Sequence, residues 1–282
     1  MPIHPDSTEL NVALNLFNQR EFGLAEKQAQ AFVDKYPSYA DGWKLLGAIL
    51  NRTGRLVESV QAMNSAICLQ PADAEAYSNL GATLKALGKP EEACATFQRA
   101  IEIDPTFSAA YFNLGNLHKE RQQIEKAKCA YHAAITLRPD YFQAILALGN
   151  CYFDQKLYNE AAVCYRRVLL LTPNNADAHY NLGNVFKELS RPDAAELSYR
   201  AAISSQPNFI SALMNLGIVL TEQGKVKEAE AVFRKSISLK SDLPGVKVNR
   251  SKSLNGLERQ SEAESVFPQL LEESPDAPGV LW

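Results

Sequence analysis

Apolar residues recur along this chain at helical spacing, and no stretch alternates in the manner of a strand. Tyr111, Leu114, Gly115 and His118 fall at i, i+3, i+4 and i+7, which is one face of a helix. After a polar break, Ala127, Tyr131 and Ala134 mark the inner face of a second helix. The pattern predicts helices over roughly 109–122 and 125–137. Pro139 lacks an N–H and disfavours α conformation at Arg138, so the second helix stops there.

The same two-helix pattern returns every 34 residues. Prolines stand at Pro37, Pro71, Pro105, Pro139, Pro173 and Pro207, and again at Pro275. Glycines stand at Gly47, Gly81, Gly115, Gly149, Gly183 and Gly217, each preceded by leucine. A small-residue slot follows at Ala93, Ala127, Ala161, Ala195 and Ala229. Four residues on is a larger one: Met63, Phe97, Tyr131, Tyr165, Tyr199 and Phe233. Glycine inside a helix costs about 1 kcal/mol against alanine. That cost is tolerable where the absent side chain lets two helix axes approach closely. The expected arrangement sets Gly115 against Ala127, and Gly183 near Ala195, with Tyr131 filling the wedge toward the next unit.

A period of 34 residues, with an aromatic, Leu-Gly, a distal Ala, an aromatic, another Ala and a Pro, resembles the tetratricopeptide repeat, or TPR. The likeness covers nearly the whole chain, which is identified as a member of that family. It implies an all-α, right-handed superhelix of about eight helix-turn-helix units forming one solenoid over 1–282. The units fall near 6–39, 40–73, 74–107, 108–141, 142–175, 176–209, 210–243 and 244–277. The first and last are degenerate: Ala13 and Ser251 replace the glycine, and Arg250 the leucine. Each unit buries its faces only against neighbours. By resemblance, the first helix of each pair (helix A) lines a concave face and the second (helix B) the convex one.

Three slots on helix A bear on binding. Two residues before the glycine slot stand Asn11, Asn79, Asn113, Asn181, Asn215 and Asn249, interrupted by Leu45 and Ala147. One residue after it stand Asn116, Asn150 and Asn184. Three before it stand Phe112, Leu146, Tyr180 and Met214; four after it stand Lys85, Lys119 and Lys187. Offsets −3, +1 and +4 share one stripe beside the packed face, so that stripe points into the groove. An amide both donates and accepts, so a row of amides can pair with the backbone of an extended peptide whatever its sequence. The lysines would add mild positive charge, so the expected partner is an extended or partly acidic segment. Local pairing of the amides with neighbouring helices accounts for the same residues, and the lysines equally suit a solvated face.

Carboxylate-clamp members of the family carry a basic residue three before the glycine. Lys44 holds that slot in one unit, but the N-L-G-N units carry Phe112 and Tyr180 there, so the clamp is not expected. The asparagines two before the glycine are similar to the ladder in the TPR portion of O-linked N-acetylglucosamine transferase-like proteins, with gaps at Leu45 and Ala147. Two readings follow: a stand-alone adaptor, or the substrate-recruiting module of a larger glycosyltransferase-like enzyme continuing past Trp282. Self-association through repeat ends is a third.

Net charge is −3, too balanced for general nucleic-acid binding. No apolar run is long enough to span a bilayer. Five scattered cysteines without a C-x-x-C pair suit a reducing cytoplasm. His118 and His179 occupy slots that are apolar elsewhere and are expected to pack as core residues. No nucleophile, metal or phosphate motif occurs, so neither catalysis nor a cofactor is expected.

Overall fold

A computed structural model describes residues 7–239. The expectations on Asn249, Ser251 and the unit near 244–277 lie outside those residues. Among the described residues there are fourteen α-helices, which pair into seven antiparallel units. The first three pairs are α1 (Ser7–Asn18) with α2 (Phe22–Lys35), α3 (Ala40–Arg52) with α4 (Leu56–Leu69), and α5 (Ala74–Ala86) with α6 (Pro90–Ile103). Next are α7 (Ser108–Glu120) with α8 (Ile124–Leu137), and α9 (Phe142–Asp154) with α10 (Tyr158–Leu171). The last are α11 (Ala176–Glu188) with α12 (Pro192–Ser205), and α13 (Ile210–Glu222) with α14 (Val226–Leu239). No helix among the described residues is long and apolar enough to cross a membrane. The chain divides into two compact units, Met1–Ala144 and Ile145–Trp282.

Local chemistry sets the helix limits. Asp73 and Asn175 cap α5 and α11 by accepting the backbone N–H of Ala76 and Ala178. Pro90 and Pro192 begin α6 and α12, where a missing N–H costs nothing. Helix α8 stops before Arg138, which is extended, one residue ahead of Pro139. Helix α7 ends two residues before the expected Gln122, because Gln122 takes φ 58°. That residue belongs to a slot of its own. Arg20, Gly54, Gly88, Gln122, Lys156, Ser190 and Gly224 stand 34 apart and all adopt left-handed φ, turning each helix A into its helix B.

In both units, the helix B residue in the large apolar slot is the most deeply buried. Met63, Phe97, Tyr131, Tyr165, Tyr199 and Phe233 are 0–1% exposed. Their packing corrects the expected partner of the glycines. A Cβ on Gly115 would lie 2.6 Å from Cε1 of Tyr131, and one on Gly183 would lie 2.6 Å from Cε1 of Tyr199. The glycine therefore makes room for the large ring of its own repeat, more than for the alanine at 127 or 195. Those alanines are buried as well. In the second unit Tyr165, Leu182, Tyr199, Leu216 and Phe233 form one continuous core. In the first, Ala25, Val33, Leu46 and Ile49 form one cluster, and Met63, Leu80, Phe97 and Leu117 another.

Candidate polypeptide-binding faces

The asparagine one residue after the glycine has a specific partner. The hydroxyls of Tyr131, Tyr165 and Tyr199 donate to Oδ1 of Asn116, Asn150 and Asn184, each at 2.8 Å. These rings are buried, and burial pushes the Tyr165 and Tyr199 phenols well above their ordinary value. A buried hydroxyl without a partner would cost about 1–3 kcal/mol. Where the ring lacks a hydroxyl, the amide is gone. Met63 pairs with Ala48, Phe97 with Ala82, and Phe233 with Ile218. Asn116, Asn150 and Asn184 are therefore, in the first place, acceptors for buried tyrosines.

The asparagines two before the glycine bridge consecutive A helices. In the second unit, Asn181 donates Nδ2 to Oδ1 of Asn150 at 3.0 Å. Asn215 donates Nδ2 to Oδ1 of Asn184 at 2.9 Å, with Tyr180 Oη at 3.4 Å. Asn150 and Asn184 thus each accept twice through one oxygen. Among the described residues, their Nδ2 groups have no hydrogen-bond partner, and neither do the Oδ1 atoms of Asn181 and Asn215. None of these four atoms is a buried orphan. In the first unit, Asn113 donates to Oγ of Ser78 at 3.1 Å. Asn79 is half-buried and lines a cleft between A helices.

The apolar slot three before the glycine is half-buried against the core. The ring centroid of Phe112 lies 5.1 Å from that of Tyr141 and 6.0 Å from that of Tyr131. Tyr180 repeats the arrangement with Phe209 at 4.9 Å and Tyr199 at 5.9 Å. Leu146 and Met214 pack on the second unit's core. The lysines differ among themselves. The Lys85 ammonium is engaged by Glu120 Oε1 at 2.7 Å, and Lys119 is also partnered. Lys187 is half-exposed and lines a shallow cleft with Glu188 and Glu222.

The histidines depart from full burial. His118 is half-buried, with Nδ1 2.8 Å from Gln123 Oε1. His179 Nε2 lies 2.9 Å from the Pro173 carbonyl, as Trp43 Nε1 lies 2.8 Å from the Pro37 carbonyl one hundred and thirty-six residues earlier in the same slot. Among the described residues no group of three or more His, Cys, Asp or Glu could hold a metal. The sequence pattern placed the first repeat but drew no site residue from it. Leu10, Leu14 and Phe17 occupy its −3, +1 and +4 slots and line a cleft of about 340 Å³. The spacing rule that singled out Phe112, Asn116 and Lys119 finds these three as well.

Sequence models of the tetratricopeptide repeat match residues 10–73, 74–107, 96–128 and 180–244, and a TPR repeat model matches 149–190. Among solved structures, pilF of Pseudomonas aeruginosa matches with TM-score 0.65 at 20% identity, over 74% of this chain and 95% of its own. YrrB, a TPR protein with an unusual peptide-binding site, matches with TM-score 0.56 at 21% identity, over 66% and 96%. The APC/C hetero-tetramer Cut9–Hcn1 matches with TM-score 0.64 at 18% identity, over 96% of this chain and 54% of the matched one. At these identities the likeness is one of fold. No curated protein matches the sequence.

Proposed function

Because the chain belongs to the tetratricopeptide repeat family, we propose that it is a non-catalytic interaction scaffold whose A helices hold an extended polypeptide segment. The observation that carries the reading is the amide network of the second unit. Asn181 and Asn215 are held by Asn150 and Asn184 with their Oδ1 atoms unspent, and Asn150 and Asn184 keep their Nδ2 donors. Donor and acceptor recur from one helix A to the next. A peptide backbone offers the complementary acceptor and donor along an extended strand. The half-buried Tyr180 and Met214 beside the amides supply apolar contact for its side chains. YrrB, described as carrying an unusual peptide-binding site, lends support by fold likeness.

The reading takes the partner to be polypeptide. It gives Lys85 no part in holding the peptide, since its ammonium is already paired with Glu120. Selection of a random displayed-peptide library on the full chain tests it. Peptides enriched on the parent protein lose binding to Asn181→Ala/Asn215→Ala, which keeps the parent's helical circular dichroism at the assay temperature. Equal retention by parent and variant contradicts the reading.

A further inference from the structure

Helix α1 carries more apolar surface than its packing uses. Ala13 and Leu16 face α2 and α3, in the cluster with Ala25, Val33 and Leu46. Asn15 and Asn18 lie on the opposite, polar face, while Asn11 lines the cleft beside Leu10 and Leu14. Between the two faces, Leu10, Leu14 and Phe17 form a stripe at i, i+4 and i+7. Leu10 and Leu14 are not part of that cluster, and Leu14 is 42% exposed. This stripe floors the cleft between α1, α3 and α5, together with Leu45 and Ala48. Its volume, about 340 Å³, falls at the low end for pockets that take organic ligands or side chains.

The rim of this cleft is charged, and the charge does not balance. The Lys44 ammonium lies 3.2 Å from Asp41, 2.9 Å from Asp73 and 2.9 Å from Glu75. Three carboxylates surround one cation. Burial works against the Lys44 charge, but hydrogen bonds to Glu75 and Asp73 outweigh it and raise the ammonium above its ordinary range. Asp73 is also committed to capping α5. Asp41 and Glu75 remain 49% and 58% exposed. They are shared with a second, adjoining basin of about 440 Å³ that adds Asp104. An apolar floor therefore runs directly into an under-neutralised acidic basin.

We propose that this cleft of the first unit docks a polypeptide segment that carries a large aliphatic or aromatic side chain next to arginine or lysine. The apolar side chain sits over Leu10, Leu14 and Leu45, and the cation completes the charge around Asp41 and Glu75. The site is independent of the amide network in the second unit and takes a partner of the opposite charge to one chosen by lysines.

Fluorescence anisotropy with the full chain tests the assignment with three labelled peptides of equal length: Leu with Arg, Leu with Glu, and Ser with Arg. The Leu/Arg peptide binds, and the other two bind more weakly by ~10-fold or more. Leu14→Asn weakens the Leu/Arg peptide by about 10-fold at unchanged melting temperature, since the side chain it truncates lies outside the core. Asp41→Asn/Glu75→Gln abolishes the preference for Arg over Glu while keeping the preference for Leu over Ser. Asn181→Ala/Asn215→Ala leaves all three affinities unchanged. Equal binding of the three peptides, no binding by any of them, or a dimer that disperses on Leu14→Asn and excludes the peptide overturns the proposal.

Discussion

Removing the Asn184 amide exposes the logic of the tyrosine–asparagine pairs. In Asn184→Ala the Tyr199 hydroxyl, now 2.8 Å from Oδ1, loses its acceptor inside a site where the ring is fully buried. Stranding it costs about 1–3 kcal/mol. Tyr199→Phe removes the hydroxyl but leaves Asn184 with its second partner, Asn215, and costs about 0.5–1.5 kcal/mol. The double variant recreates the pairing that Ala82 and Phe97 already make in an earlier repeat. Its cost falls short of the sum of the singles by about 1 kcal/mol, the coupling expected of groups in direct contact. Asn215→Ala serves as the control for the second bond to Asn184. Urea unfolding followed by circular dichroism gives the total, and native-state hydrogen exchange in α11 and α12 gives the local value, which an array that opens piecewise requires. Additivity within ~0.3 kcal/mol, or an Asn184→Ala variant as stable as the parent, refutes the pairing as the reason for the asparagine.

Gly217→Ala places a Cβ 2.4 Å from Cε1 of the buried Phe233. Overpacking of about 1–3 kcal/mol outweighs the ~1 kcal/mol gained in helix propensity, so the urea midpoint falls. Phe233→Leu in the same chain recovers part of that loss. Ser190→Gly relieves a left-handed residue at φ 54° and raises stability by about 0.5–1 kcal/mol; an unchanged or lower midpoint contradicts it. Burial pushes the Cys164 thiol from 9.0 up to about 11. The unfolded thiol ionises first as pH rises, so stability present below about pH 9 is lost toward pH 11, by on the order of 2 kcal/mol. Cys164→Ala removes that part of the alkaline slope in pH-dependent unfolding. A slope identical in parent and variant counts against the thiol.

The repeat is legible because each helix pair solves the same packing problem. Leucine, glycine and the large helix B residue recur where two helices must meet, and the proline where helix B must stop. What escaped the sequence depends on partners that the period does not line up. Asn184 and Tyr199 sit 15 residues apart on different helices, so both rows are visible while their hydrogen bond is not. Lys85 reads as a groove cation until Glu120, 35 residues on, is found beside it. The left-handed slot holds Arg, Gly, Gln, Lys and Ser in different repeats, since backbone geometry and not side-chain identity is what recurs there. Leu10, Leu14 and Phe17 went unread because the first repeat carries plain apolar residues in slots where later repeats carry amides and lysines.

The amides themselves give the most direct test of the scaffold reading. Asparagine side-chain NH₂ resonances of the full chain, labelled with nitrogen-15, are followed while a peptide enriched on the parent protein and bound equally by Leu14→Asn is added. The account predicts that the free Nδ2 groups of Asn150 and Asn184 shift on binding and that these shifts vanish in Asn181→Ala/Asn215→Ala. A peptide that binds while leaving the Asn150 and Asn184 signals in place contradicts it.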